Sequence, residues 1–414
     1  MDLLKIVRNF YLSYTLYILL LIFITSLNLF DILPSIILMW FLYFVFSFGY
    51  KLNIKNNKLE NISIYQTVNI LFQKKIIMFV LAILSILSSI IAAHYYTGKT
   101  LTTTFYGLIN HINFYGEYQQ YAKTYGSKIL SMAKIPYILM MFYFKLILYY
   151  SYIIILLVKN KIKRFDIFYL LCLTFSQIYF GIARGTNFEL FELIILIIYI
   201  ILLRNKNKSI KISLKNVIFL FSSIISMLFI FYFSVAKRGM QFNDNNFREF
   251  VYNDDTIFKY IPILPFASLL LYNYFGFGFV YLSIYFKSVW NYKGISFFRD
   301  LFPHAQNTLQ NNMNQLIFLN TRWKPDVIIY INNYGFLGLI IIIFFLALFL
   351  KYIKKFGNTT LVHLTQLISL FQLISLPVGN FVFVSSATTL IVLFILFLWF
   401  WKIFIKVKIK IKTY

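Results

Sequence analysis

The sequence predicts an all-α fold: a polytopic transmembrane helix bundle of about ten spans, with both termini cytoplasmic. Three observations predict it. Charged residues are 13% and hydrophobic residues 60% of the 414, whereas a soluble domain carries about 25% charged residues. Apolar runs near the roughly 20 residues that cross a hydrocarbon core recur along the chain. Lysine and arginine gather in short segments between alternate runs, as the positive-inside rule asks of cytoplasmic loops.

The runs fall at 10–30, 32–50, 76–96, 135–158, 165–183, 187–203, 217–235, 335–350, 361–376 and 381–400. The first is too long for a signal-peptide core and lacks an A-x-A-like cleavage site, so it counts as a span. The inside segments are then 1–9, 51–75, 159–164, 204–216, 351–355 and 401–414, and they hold 24 of the 39 lysines and arginines. The outside segments, 97–134, 184–186 and 236–326, are longer in total and hold 14. The remaining one, Lys145, lies inside a span and needs a partner or a cavity. The net charge of +26 therefore reads as loops that orient the spans, not as a nucleic-acid surface. A single cysteine, Cys172, excludes a disulfide framework and a cysteine metal site.

The apolar stretch 261–286 is read as interfacial or re-entrant. One crossing there would move Lys351, Lys354, Lys355 and the basic tail outside. Pro262, Pro265, Gly276 and Gly278 suit a broken helix buried against protein. No long repeat and no soluble domain is visible, so residues 1–414 form one integral membrane domain. Function must come from spans plus two outer loops, the tyrosine-rich 97–134 and the large 236–326.

The stretch GIARGTNFELFELIILIIYIILLRNKNK, 181–208, opens a span with Arg184, Glu189 and Glu192. If Gly185 marks the boundary, Glu189 lies roughly 6 Å and Glu192 roughly 10 Å deeper, three apart and on one helix face. Such groups either bond a neighbouring helix or line an aqueous cavity. Five arginines, Arg184, Arg238, Arg248, Arg299 and Arg322, lie on outside segments, and arginine's planar fork suits phosphate. The segment 299–338 adds Asp300, His304, Asn307, Trp323 and Asp326. His304 is a candidate general base near neutral pH, and an aromatic such as Trp323 beside polar groups suits sugar binding. Asp244, Asp254 and Asp255 sit among asparagines and either hold a divalent ion or form turns. His94, His111 and His363 are isolated and read as structural. No P-loop, Rossmann glycine pattern or HExxH motif is present, which argues against cytoplasmic nucleotide chemistry. No cofactor or metal site is expected.

Two patches, R-G-T-N-F-E at 184–189 and W-K-P-D-V-I-I-Y-I-N-N-Y-G-F-L-G at 323–338, each open a span. With them, and with its whole hydropathy layout, the chain resembles the bacterial Wzy-type repeat-unit polymerases of capsule and O-antigen assembly. The R-x10-G pattern of some members has no clean counterpart here. H-A-Q-N at 304–307 is similar to a stretch in the related O-antigen ligases. The resemblance implies a membrane glycosyltransferase at the outer face of the bacterial cytoplasmic membrane. Its substrates would be undecaprenyl-diphosphate-linked glycans, and its partners the chain-length regulator and flippase of the same pathway. Arg184, Arg238, Arg248, Arg299, Arg322 and Trp323 would bind substrate, and Glu189, Glu192, His304 and Asp326 would supply acid–base catalysis. An O-antigen ligase would share this outward design. A lipid-linked oligosaccharide flippase would show paired halves and charges at all depths, and a channel would show a repeated pore pattern.

Overall fold

The computed structural model describes residues 3–24, 29–52, 74–110, 112–125, 132–158, 162–207, 276, 278–279, 282–283, 325–357, 359–379, 382 and 385–412. These residues form a bundle of α-helices, and seven helices among them are long and apolar enough to cross a membrane. The predicted span 217–235, the remainder of 261–286 and nearly all of 236–326 lie outside the described residues. The chain divides into two compact units. One comprises Met1–Leu59, Met240–Lys355 and Ser369–Phe381; the other comprises Glu60–Gly239, Phe356–Ile368 and Val382–Tyr414.

The first unit contains α1 (Leu3–Ile24), α2 (Leu29–Lys51), α9 (Asp326–Ile353) and the second half of α10 (Thr360–Val378). Helix α2 packs along α9 and α1. The Trp40 indole donates to Thr15 Oγ1 at 3.1 Å, and the Tyr11 hydroxyl donates to the Leu373 carbonyl at 3.1 Å, tying α1 to α2 and to α10. The sequence reading put the first break near Asp31, but α2 already starts at Leu29 and contains that residue. Helix α9 is broken at Gly335, whose φ of 73° and ψ of 170° lie in a region open to glycine alone. The predicted span 335–350 begins at that break, and a separate turn of helix, Asp326–Tyr334, precedes it. In the stretch read as re-entrant, Phe279, Leu282 and Ser283 are buried. Ser35 on α2 donates to the Phe279 carbonyl at 2.7 Å and shares a short hydrogen bond with Ser283.

The second unit contains α3 (Lys75–Thr97), α4 (Leu101–Ile109), α5 (Phe114–Thr124), α6 (Ile135–Ile153), α7 (Arg164–Arg184), α8 (Phe188–Asn207), the first half of α10 and α11 (Ser386–Lys412). Helix α3 packs on α7 and α6. Its inner stripe is Met78, Ala82, Ser85, Ser89, Ala92 and Ala93. Ser85 donates to Ser176 on α7 at 3.2 Å. Its exposed face carries Ile76, Phe79, Val80, Ile83, Leu84, Leu87 and Ile91. Small residues inward and bulky apolar residues outward suit lipid as the solvent, because association there depends on close backbone approach rather than on hiding hydrocarbon from water. Helix α11 runs to Lys412, beyond the predicted end at 400, because alternating Ile and Lys hold no helix breaker. Trp399 on α11 donates to Thr365 on α10 at 2.9 Å, and Lys402 stands 4.5 Å over the Phe356 ring.

Candidate functional site

The site is built on the turn between α7 and α8. Gly185 is left-handed at φ 63° and ψ 28°. Its N–H donates to the Ile182 carbonyl and the Thr186 N–H to the Gly181 carbonyl, both at 2.9 Å. This paired arrangement is the Schellman ending of a helix. The reversal takes only three residues, so the Arg184 and Glu189 side chains meet. Arg184 Nη1 donates to Glu189 Oε1 at 3.0 Å, and Thr186 Oγ1 donates to Glu189 Oε2 at 2.7 Å. The Glu189 side chain is fully buried, while that of Arg184 is 25% exposed. The guanidinium lies between two rings, 5.2 Å from Tyr118 on α5 and 5.1 Å from Phe180 on α7, where each ring face attracts the cation.

One turn deeper, Glu192 receives its hydrogen bonds from other helices. Lys145 Nζ on α6 donates to its two carboxylate oxygens at 3.1 and 2.8 Å, and Gln177 Nε2 on α7 donates at 2.6 Å. The Tyr149 side chain lies near this carboxylate, and the Phe188 ring lies 4.7 Å from the ammonium. Lys145 and Glu192 are 1% and 3% exposed. The two pairs form a ladder of two cations and two anions with no net charge. Burial without a partner would cost several kcal/mol per ion, and the ladder meets that cost internally. Of the two readings the sequence left open for Glu189 and Glu192, these contacts favour carboxylates that bond neighbouring groups. Arg184 Nε, Gln177 Oε1 and Asn187 Nδ2 are buried and meet no partner among the described residues.

The loop 97–134 contains two short helices that cover this turn. Thr100 caps α4, and Asn113 accepts from the Gly116 N–H to cap α5. Backbone atoms of Phe114 and Tyr115 press on Gly185. Lys99 pairs with Glu117 at 2.7 Å and stands 3.9 Å over the Phe114 ring. Burial lowers the Lys99 pKa, and Glu117 works against that shift.

In the first unit, Asp326 sits in the first turn of α9 and is 2% exposed. Gln372 Nε2 and Ser375 Oγ on α10 donate to its Oδ2 at 2.7 and 2.6 Å. It lies outside the span 333–356. Burial pushes its carboxyl up to about 7, with the Ser375 and Gln372 hydrogen bonds opposing the rise. An unfolded aspartate titrates near 3.9, so between about pH 4 and 7 the folded protein holds the extra proton. Stability from this group is therefore greatest below pH 4 and falls as pH rises to 7, by at most about 1.4 kcal/mol per pH unit. Asp326→Asn should flatten that part of the pH profile of thermal unfolding in detergent. Identical profiles for variant and parent would contradict the assignment.

His304, Arg238, Arg248, Arg299, Arg322 and Trp323 lie outside the described residues, as do His111 and the aspartates 244, 254 and 255. Among the described residues, no group of three His, Cys, Asp or Glu is placed to hold a metal. His363 is buried with its Nδ1 3.2 Å from the Tyr199 hydroxyl, and His94 Nδ1 meets the Lys99 carbonyl at 3.2 Å. Sequence reasoning missed Gln177, Thr186 and Tyr118 as members of the site and left Lys145 without a partner. One signal was present: a lone intramembrane lysine and an intramembrane glutamate on nearby spans need each other.

Fold and site together define a multi-span membrane protein, a helix bundle with a buried, neutral ladder of ion pairs at one helical hairpin. Comparison with protein-family models, curated proteins and solved structures finds no match to this chain.

Proposed function

We propose that the chain is a membrane glycosyltransferase that polymerises undecaprenyl-diphosphate-linked oligosaccharide repeat units at the outer face of a bacterial cytoplasmic membrane. The observation that carries this reading is Arg184: a partly exposed guanidinium, held between two aromatic rings at a hairpin the charge pattern places outside. Under this reading the acceptor hydroxyl attacks the anomeric carbon of the donor glycan. The new C–O bond forms as the bond to the lipid diphosphate breaks, and the diphosphate leaves with the electron pair. Arg184 offers the exposed part of its guanidinium to the developing charge. The donor arrives already activated, so no nucleotide site is needed. Glu189 and Glu192 are each engaged by neighbouring donors. Glu189 serves to place Arg184, and the proton of the acceptor hydroxyl passes to water.

Arg184→Ala alone would leave Glu189 buried and unpaired, a destabilising change in itself. The test therefore adds the double variant Arg184→Ala/Glu189→Gln, in which no charge is stranded. Both should reach the membrane yet yield surface glycans of a single repeat unit on gels of lipid-linked material. Long polymer from the double variant would sink the reading. Deletion of the gene separates the classes: single units indicate polymerase, unattached long polymer a ligase, and absence of external glycan a flippase.

A further inference from the structure

Helices α3, α5 and α6 bring tyrosines together beside Arg184. The Tyr95 and Tyr137 rings stack with centroids 3.7 Å apart and an interplanar angle of 11°. Tyr95 meets Tyr96 edge-on at 5.2 Å, and Tyr96 meets Phe180 edge-on at 6.4 Å. Phe180 and Tyr118 flank the guanidinium. Tyr121 lies against Gly98 and is 4.7 Å from Tyr125. The rings of Tyr95, Tyr96, Tyr118, Tyr121 and Tyr137 are neither buried nor fully exposed.

We propose that this tyrosine cluster is a carbohydrate subsite adjoining Arg184, on which pyranose rings of the glycan stack. It rests on the function proposed above, which supplies a glycan next to a diphosphate. Sugar C–H faces stack on aromatic rings, and phenol hydroxyls at the rim bond sugar hydroxyls. The ordinary role for tyrosine near a membrane boundary is an interfacial belt. Belt residues stand apart and point into headgroups, whereas these rings pack on each other and lead to a cation. The exposed apolar face of α3 carries Ile, Phe, Val and Leu, and the tyrosines of α3, Tyr95 and Tyr96, stand only at its hairpin end.

The test is saturation-transfer NMR on the full chain in detergent. The probe is short oligosaccharides released from the host's own surface polysaccharide by partial acid hydrolysis. Wild type should transfer saturation to sugar ring protons. Tyr95→Leu/Tyr137→Leu should weaken binding about tenfold and shorten the polymer made in cells. Tyr95→Phe/Tyr137→Phe, which keeps the stack, should retain a larger share of both and guards against a folding artefact. No transfer from wild type, or wild-type transfer from the leucine variant, overturns the subsite. The polymerase reading is judged separately: full-length polymer from Arg184→Ala/Glu189→Gln defeats it, whatever the tyrosines do.

Discussion

Lys145→Ala should be the most destabilising single substitution in the described helices, costing about 3–5 kcal/mol. Lys145 gives two of the hydrogen bonds that close on the Glu192 carboxylate, at 3.1 and 2.8 Å. Without it a carboxylate remains 3% exposed, facing only Gln177 and Tyr149. Neither neutral donor replaces the ammonium. The loss is read as reduced recovery of monodisperse protein after heating in detergent, together with a fall in Tm. The companion variant Lys145→Met/Glu192→Gln removes both charges and keeps the volume. It should recover most of the loss, because replacing a buried pair by groups of similar size is often neutral. If the single and double variants melt together, the pair contributes no more than packing. If Lys145→Ala melts with the wild type, the charge ladder is not a structural feature at all.

That pair also shows what the sequence could and could not reveal. Nine of the ten predicted apolar runs overlap described helices, seven of which are long and apolar enough to cross a membrane, because run length is fixed by hydrocarbon thickness and is read residue by residue. Charge at the hairpin mouth was visible for the same reason: an arginine and two glutamates beside an apolar run need an explanation. The partner of Glu192 was not visible, because Lys145 is 47 residues away and only the packing of α6 against α8 joins them. Helices α4 and α5 were hidden too. They are 9 and 11 residues long, rich in Thr, Tyr and Gln, and their helicity depends on caps and on docking over Gly185. Helix ends were misplaced where lysines continue a helix past the membrane boundary, as in α11, since a hydropathy limit is not a helix limit.

Gly185→Ala should unfold the hairpin cap, at about 2–5 kcal/mol, from two separable causes. The first is conformational: φ is 63°, where a Cβ meets its own carbonyl, at about 1–2 kcal/mol. The second is a collision: the new Cβ would lie 2.4 Å from the Tyr115 nitrogen and 2.9 Å from the Phe114 carbonyl carbon. Those are backbone atoms of α5, so relief requires the whole short helix to move. Asparagine tolerates the left-handed region better than alanine yet carries the same Cβ. Gly185→Asn should therefore melt close to Gly185→Ala, because the collision survives. Recovery towards wild type in the asparagine variant would show that strain alone governs this turn. If the collision dominates, α5 lifts and the Tyr118 ring leaves the Arg184 guanidinium. Polymer assembly in cells should then fail at a growth temperature where the protein is still folded, which ties the loss to the geometry around Arg184 rather than to the stability of the bundle.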